Sequence, residues 1–460
     1  MRALPPVSEE FQGCIFPDAR LHQRVVKLVG QLEVDPQLSF PEAFRDASQL
    51  EGTYRFLGNR RVDLPSILGG HIANTVSRVS AAGRALAIHD TTSFSFDGDR
   101  DGLGLVDQKQ QGFYAHGCLA VSADETREPL GLLALDTWIR TEKKGKRTIE
   151  QRKKDPSLES KRWLQQSLDV EALMPSGTQL VHVEDREGDI FESFAARCSR
   201  GMHFIVRATS SRLVLDEGGE ATNVLESARQ MPIRFSRSIH LSARSAKHAH
   251  LPQAQHRNRK VREADVDIRA DVIRLRAPKR GGSTPELVLN AVYVGERDTP
   301  KGEEPIEWLL LTTEPIRTKA DVEWVIDSYR TRWLIEEYFK ALKTGCKYEE
   351  RQLESLGSLL NALGLFAIIA WRLLVLRHLE RTVTDSPAET VATESELAVL
   401  IAQKRLKPGA TAKEFLVALA RYGGHLKQNG PPGLLILWRA LRALQALAEG
   451  WLLAQRSDQS

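Results

Sequence analysis

Residues Thr318–Lys343 read TKADVEWVIDSYRTRWLIEEYFKALK, with no Pro or Gly before Gly345. Thr318 and Asp321 have the spacing of a capping box, so the run is expected to form one helix. At about 100° per residue, Tyr329, Arg332, Glu336, Lys340 and Lys343 fall within an arc of roughly 80°. Leu334, Ile335, Tyr338 and Leu342 cluster opposite, as a core face would. The polar arc holds one carboxylate ringed by two lysines, an arginine and a tyrosine. That composition suits a metal ion beside a phosphodiester. Glu336 and Lys340 alone also fit an ordinary solvated helix with an i,i+4 pair.

The chain has 460 residues, enough for two or three domains and a large core. Its formal charge of +4 says little about partners, but the distribution says more. Arg234 to Arg262 carries eight Lys/Arg, four His and no Asp or Glu, a block suited to a polyanion or to a solvated loop. Cys14, Cys118, Cys198 and Cys346 are scattered without a C-x-x-C pair. This argues against a zinc knuckle or a disulfide framework and fits a reducing compartment. No N-terminal stretch has signal-peptide character. The apolar run Ala362 to Trp371 is too short to span a bilayer and reads as a buried helix. A soluble cytosolic protein without a membrane partner is the expectation.

Working outward, residues 1 to about 70 look helical, with candidates at Asp18–Leu32 and Phe40–Leu57. Arg20, Arg24, Lys27, Arg55, Arg60 and Arg61 on these helices suit duplex phosphates, or the pair is a small helical cap. A helix from Leu64 to Ala81 leads into ALAIHDTTSFSF, where Ala85 to Ile88 form a strand stopped by Asp90. GFYAHGCLAVSA and LGLLALDTWIR continue as an antiparallel meander. Lys143 to Lys154 reads as a loop or helix start. A helix at Ser157–Leu173, a strand at Gln179–Val183, a helix at Ile190–Ser199 and a strand at Phe204–Arg207 follow. Residues 208 to about 315 are short alternating stretches, mostly β. Beyond Gly345 the chain is helical again. In the last helix, after Pro431 and Pro432, Leu437, Leu441, Leu444, Ala448 and Trp451 form an apolar strip. It serves either packing within the chain or an interface between subunits.

Two aspartates stand directly after strands: Asp90 in HDTTSFSF and Asp185 in VEDREGD. Strand ends in an open sheet collect catalytic groups, although a lone Asp there is more often a turn former or helix cap. Glu184, Glu187 and Asp189 rival Asp185. His89 is either a ligand or a packing residue.

The pattern Tyr-x2-Arg-x3-Glu-x6-Lys at Tyr329–Lys343 resembles the signature of DDE transposases in the insertion-sequence-four family, the family of the transposon five transposase. Asp-Thr-Thr at Asp90, DRE-G-D at Asp185, and DARLHQR and YRFLGN near the N-terminus are similar to family sequence as well. The resemblance implies an α/β (α+β) fold: a ribonuclease H-like catalytic core interrupted by a β-rich insertion, between two helical domains. Residues 1–70 would be the helical transposon-end-binding domain. Residues 71–370 would be the catalytic core, with the insertion at about 208–315, and 371–460 the dimerisation domain. Asp90, Asp185 and Glu336 would be the catalytic, metal-holding triad, with Mg²⁺ as cofactor and Mn²⁺ able to substitute.

Carboxylate ligation suits these ions, whereas no thiolate or multi-His shell typical of zinc is present. Arg24 and Arg55 would contact the transposon end. Arg207, Trp308, Tyr329, Arg332, Lys340 and Lys343 would hold phosphates and a flipped base, though Trp308 alone also reads as a core strand residue. The implied reaction is cut-and-paste transposition in the bacterial cytosol by a homodimer on double-stranded DNA, without a nucleotide cofactor. It comprises nicking, hairpin formation and opening, and transfer of 3′-hydroxyls to target DNA. Two other readings stay open: a silent transposase-derived repressor, and a ribonuclease H-like junction nuclease.

Overall fold

The computed structural model describes residues 4, 6–106, 110–140, 159–208, 212–216, 218–241, 259–278, 286–382, 385–426 and 433–457. The N-terminal helices are α1 (Ala19–Leu32), α2 (Phe40–Ala43), α3 (Ala47–Leu57) and α4 (Leu64–Ala82). Carboxylate caps begin three of them: Asp18 accepts from Arg20 N–H, Asp46 from Gln49 N–H and Asp63 from Ser66 N–H. The expected helix over Phe40–Leu57 is therefore two. Ser39 and Glu42 cap α2, and Asp46 starts a new helix at α3.

Strands β1 (Arg84–Phe96), β2 (Gly104–Leu105), β3 (Gln111–Ser122) and β4 (Pro129–Trp138) follow. Then come α5 (Glu159–Ala172), β5 (Gln179–Glu184), α6 (Phe191–Cys198) and β6 (His203–Arg207). The next stretch holds β7 (Leu213–Leu215), β8 (Ala221–Asn223), α7 (Val224–Gln230) and β9 (Ile233–Leu241). It ends with β10 (Arg262–Arg276), β11 (Glu286–Glu296) and β12 (Glu307–Thr312). The remaining helices are α8 (Lys319–Arg330), α9 (Trp333–Lys340), α10 (Leu356–Thr382), α11 (Glu394–Ala402), α12 (Ala412–Tyr422) and α13 (Leu434–Ser457).

The chain forms two compact units. One comprises Met1–Gly83, Thr91–Lys146 and Trp333–Ser460, and the other Arg84–Asp90 and Arg147–Arg332. Strand β1 crosses the division. Asp90 does not stop it, because the β-branched and aromatic residues of TTSFSF prolong the extended backbone to Phe96.

In the second unit the strand order is β1-β5-β6-β12-β11-β10-β7-β8, with β9 on β10. β1, β5 and β6 are mutually parallel, and β6–β12, β12–β11 and β11–β10 are antiparallel. The strands of residues 208–315 thus extend the core sheet through β12. Phe194, Phe204, Val206, Leu275, Ala291 and Leu311 anchor an apolar cluster there. In the first unit β3 neighbours β1 and pairs antiparallel with β4. The strand sequence β4-β3-β1-β5-β6 is that of a ribonuclease H-like core, in a mixed α/β chain with helices at both ends.

Helix α10 is the axis of the first unit. It has 27 residues and is long and apolar enough to cross a membrane, yet 94% of its apolar window is buried within the protein. Apolar length alone does not separate a core helix from a spanning one. Asn361 of α10 donates to the carbonyls of Leu57 and Val62, and the Trp371 indole donates to Pro129 O. A Cβ on Gly364 would come within 2.8 Å of Ile67, so α10 and α4 meet backbone to side chain.

The strip on α13 is packed inside its own unit. Leu437, Leu441, Leu444 and Ala448 are all buried, and Trp451 alone is partly exposed. Trp438 donates to Glu33 O, and Glu33 lies between Arg372 and Arg442. The Glu33 carboxyl is pushed up by burial and drawn back by those two guanidiniums. Packing within the chain is therefore the role of this strip. The sequence features at 143–154, 431–432 and most of the basic block (242–258) lie outside the described residues.

Candidate active site and DNA interface

Strands β1 and β5 pair in parallel from Arg84↔Gln179 to Ile88↔Val183. Two further steps of the same register set Asp90 level with Asp185. Adjacent strands lie about 4.8 Å apart, so the two carboxylates share one sheet face at neighbouring positions. Both are half-buried. Asp185 also caps the short turn Arg186–Gly188 by accepting from Glu187 N–H at 2.8 Å. The turn is tight: a Cβ on Gly188 would sit 2.1 Å from Glu184 Oε2.

Of the rivals to Asp185, Glu184 is fully buried against Arg197, and Asp189 is paired with Arg212. His89 points to the other face and bonds to His182 and Gln166, away from the aspartates.

Helix α8 begins at a capping box, with Thr318 accepting from Asp321 N–H and Asp321 accepting from Thr318 N–H. The expected single helix over Thr318–Lys343 is broken in two places. At its C-terminus Thr331 turns its hydroxyl back onto Asp327 O, and Arg332 N–H bonds to Tyr329 O, three residues back. Such back-bonding bends a helix, and α9 restarts at Trp333. Beyond Lys340 the chain runs as a π-turn over Ala341–Gly345, with Cys346 N–H on Ala341 O. The ideal 80° arc therefore does not persist along the segment.

The break leaves Arg332 at the end of α8, where its guanidinium meets Asp90 at 3.5 Å. Tyr329, expected on the polar arc, is 7% exposed. Its ring stands edge-on to half-buried Trp308, with centroids 5.8 Å apart, and its hydroxyl bonds to Arg207. Trp308 is a β12 residue opposite Val294, so both sequence readings of it are partly met: it belongs to the sheet and keeps an accessible side. Arg207 also donates to Glu307 O at 3.1 Å. Burial draws the Arg207 guanidinium down from its ordinary value, Tyr329 raises it, and the nearby charges of Arg186 and Arg332 lower it further. Arg332, beside Asp90, is thus within electrostatic reach of Arg207, which also senses Arg186 and bonds to Tyr329 next to Trp308. This is a surface for phosphate and base.

Glu336, Lys340 and Lys343 belong to the first unit. Glu336 is half-buried in α9, four residues past Arg332, and Lys340 is exposed. Lys343 donates to Ser93 O and lies 4.0 Å from Glu349; burial lowers its pKa. Arg24 and Arg55 are exposed on α1 and α3. The Arg24 guanidinium lies over Gly52, where a Cβ would reach within 1.7 Å of it, and Arg55 pairs with Glu51 one turn away. Among the described residues, no group of three or more His, Cys, Asp or Glu is gathered as an ion site.

Sequence reasoning missed the buried polar layer behind the aspartates: Gln166, Glu171, His182, Glu184 and Arg197. Its one signal was a histidine between two valines in β5, where an apolar residue would be the default.

Residues 6–62 match the transposase DNA-binding family model, which takes in Arg24 and Arg55. Residues 192–372 match the transposase DDE domain model, which takes in Arg207, Trp308, Tyr329, Arg332, Glu336, Lys340 and Lys343. Among solved structures, the chain has a distant similarity to the cryo-EM structure of a piggyBac transposase synaptic complex with hairpin DNA. It is 10% identical, covers 79% of this chain and 67% of that one, and gives a TM-score of 0.38. The chain thus carries a transposase DNA-binding domain followed by a transposase DDE domain.

Proposed function

We propose that this chain is a cut-and-paste transposase of the insertion-sequence-four family, similar to the transposase of transposon five. The observation that carries this reading is the β1–β5 register, which levels Asp90 with Asp185 in a chain bearing a DDE domain. Asp90, Asp185 and Glu336 are the assigned catalytic carboxylates. The two aspartates are oxygen-only donors, half-exposed and adjacent, a donor set that fits Mg²⁺ with Mn²⁺ as substitute. When bound, such ions activate water and offset charge at phosphorus.

The protein's own groups supply the remainder. Arg332 beside Asp90, with Arg207 and Arg186, is assigned to the phosphates of the scissile region. Lys340 and Lys343 extend that clamp in the proposed complex. Trp308, backed by the buried Tyr329 ring, offers its accessible side to a nucleotide that must leave the stack, an event costing a few kcal/mol. With these groups the enzyme nicks the transposon end, forms and opens a hairpin, and joins the 3′-hydroxyl to target DNA.

Residues 1–70, through Arg24 and Arg55, are assigned to the terminal repeats. Residues 71–370 are assigned to catalysis and 371–460 to homodimer formation. With the α13 strip buried, the exposed residues Leu447, Trp451, Leu452 and Leu453 are the surface left on that helix for a partner subunit. The bacterial cytosol, with its DNA, is the proposed compartment.

Incubation of the chain with end-bearing duplex and Mg²⁺ tests the reading. Nicks, hairpins and joined products are expected. Binding without any of these would replace the proposal with a DNA-binding repressor, and junction-specific cutting without joining would replace it with a nuclease. Trp308→Ala is expected to accumulate nicked DNA; normal hairpin yield would remove the stacking role.

A further inference from the structure

On the face of β1–β5 opposite the aspartates lies a continuous chain of polar side chains, buried except at the part-exposed Glu171. His89 Nδ1 meets Gln166 Oε1 at 3.0 Å, His89 Nε2 meets His182 Nδ1 at 2.9 Å, and His182 Nε2 meets Glu171 Oε1 at 3.1 Å. Both imidazoles are 0% exposed and stack with centroids 5.1 Å apart. Glu184, equally buried, forms two bonds with Arg197, which also holds Ser167 and the Trp163 carbonyl on α5. Proton placement at the outer ring nitrogens follows from the acceptor oxygens at the two ends. Glu171 accepts the Nε2 proton of His182, and the Gln166 Oε1 carbonyl accepts the Nδ1 proton of His89.

The position of this chain bears on the aspartates. Asp90 follows His89, and Asp185 follows Glu184. Consecutive strand residues point to opposite faces, so burying His89 and Glu184 in the polar layer turns Asp90 and Asp185 to the other side. The strand sequences ALAI and QLVHV are buried on both faces and give little apolar alternation to define register. A one-residue slip would exchange the faces and leave buried imidazoles without partners, which is costly. We infer that His89 and His182 are positioning residues: their cross-strand bond locks the register of β1 against β5 and thereby sets the spacing of Asp90 and Asp185. This rests on the assignment of those aspartates as ion-holding groups.

The experiment measures Mn²⁺ binding to the full chain by electron paramagnetic resonance, without DNA and without turnover, beside thermal unfolding. Four variants accompany the parent chain. Asp90→Ala tests the assignment of the aspartates. His182→Asn places a polar group near Nδ1 and so retains the bond to His89. His182→Gln places one near Nε2, retains Glu171 and loses His89. The double variant His89→Leu, His182→Leu removes both partners of the cross-strand bond together; Gln166 loses its bond to His89 and the part-exposed Glu171 its bond to His182, and thermal unfolding reports whether it folds.

The expected result is that Asp90→Ala loses Mn²⁺, His182→Asn keeps parental affinity, and His182→Gln and the double variant bind about ten-fold more weakly. Equal affinity in His182→Asn and His182→Gln overturns the inference, as does parental affinity in the double variant. If His182→Gln does not fold, the double variant decides alone. If Asp90→Ala binds Mn²⁺ like the parent, the assignment of the aspartates fails first and the inference falls with it.

Discussion

The two faces of the β1–β5 pair are furnished differently. On one, Asp90 and Asp185 are half-exposed, meeting Arg332 and a turn N–H respectively. On the other, His89, His182 and Glu184 are fully buried and bonded to one another or to side chains of α5 and α6. Only one peptide unit separates a residue of one face from its neighbour on the other. The difference teaches a division of labour. The closed face contributes stability and geometry, while the open face is left with charge that folding does not consume. Substitutions on the two faces should therefore separate activity from stability.

The largest effect is expected on the open face. Asp90→Asn and Asp185→Asn should lower cleavage of end-bearing DNA by on the order of 10⁴-fold, as loss of a group acting within a catalytic unit does. Glu336→Gln should do the same, with end binding retained in all three. Thermal midpoints should stay within a few degrees of the parent. An equal loss of stability would make these acids structural and erase the contrast.

On the closed face the order reverses. Arg197→Ala leaves the buried Glu184 carboxylate without its cation, a change that costs about 3–5 kcal/mol. Urea unfolding of the full chain would register this as a lower midpoint. Replacing the pair by apolar residues of like volume should recover part of the loss.

A smaller effect is expected at the hinge between the faces. Gly188→Ala introduces a Cβ 2.1 Å from Glu184 Oε2 and 2.7 Å from Glu184 Cβ. Glu184 is fixed by Arg197, so the Arg186–Gly188 turn must move instead, at roughly 1–3 kcal/mol. Because Asp185 caps that turn, cleavage should fall along with the unfolding midpoint. A neutral Gly188→Ala would show the turn to be looser than its contacts imply.

These contrasts also show which features were legible in the sequence. The order of strands and helices could be read from apolar runs and turn residues, because those signals are local. Asp185 could be singled out by its place at a strand end, whereas Asp90 lies inside β1, which runs on to Phe96; the tyrosine–arginine–glutamate spacing marked α8–α9. The break at Thr331–Arg332 could not, since it depends on a threonine hydroxyl choosing Asp327 O over solvent. Tyr329 was placed on the polar arc for the same reason, and the structure buries it against Trp308. Apolar periodicity on α13 was visible, but periodicity does not say whose surface covers it. The His89–His182 layer was hidden because its members are separated by more than 90 residues and each is unremarkable alone.

The first unit offers a second closed polar cluster, and acid probes it. His71 is fully buried; its Nε2 accepts from Leu132 N–H at 3.0 Å, so Nδ1 carries the proton and donates to Glu10 at 2.6 Å. Arg78 supplies the cation, bonding to Glu10 at 2.8 Å while lying over the Trp371 ring. Burial pushes the Glu10 carboxyl up, but the bonds from His71 and Arg78 outweigh it and hold the group at about 2. Burial lowers the His71 imidazole, against Glu10, which raises it, and with Arg78 and Arg372, which lower it further. Both folded values lie below the ordinary ones of 4.5 and 6.5. The unfolded chain therefore binds these protons first as pH falls. The stability they contribute is complete near neutral pH, begins to be lost below about 6.5 through His71, and is lost further from 4.5 towards about 2 through Glu10. The Glu10 part amounts to at most about 1.4 kcal/mol per pH unit. Glu10→Gln should be less stable than the parent at pH 7, and the gap should narrow steadily as the pH of the unfolding experiment is lowered below 4.5. If the two curves run parallel, Glu10 is not the group through which acid loosens this unit.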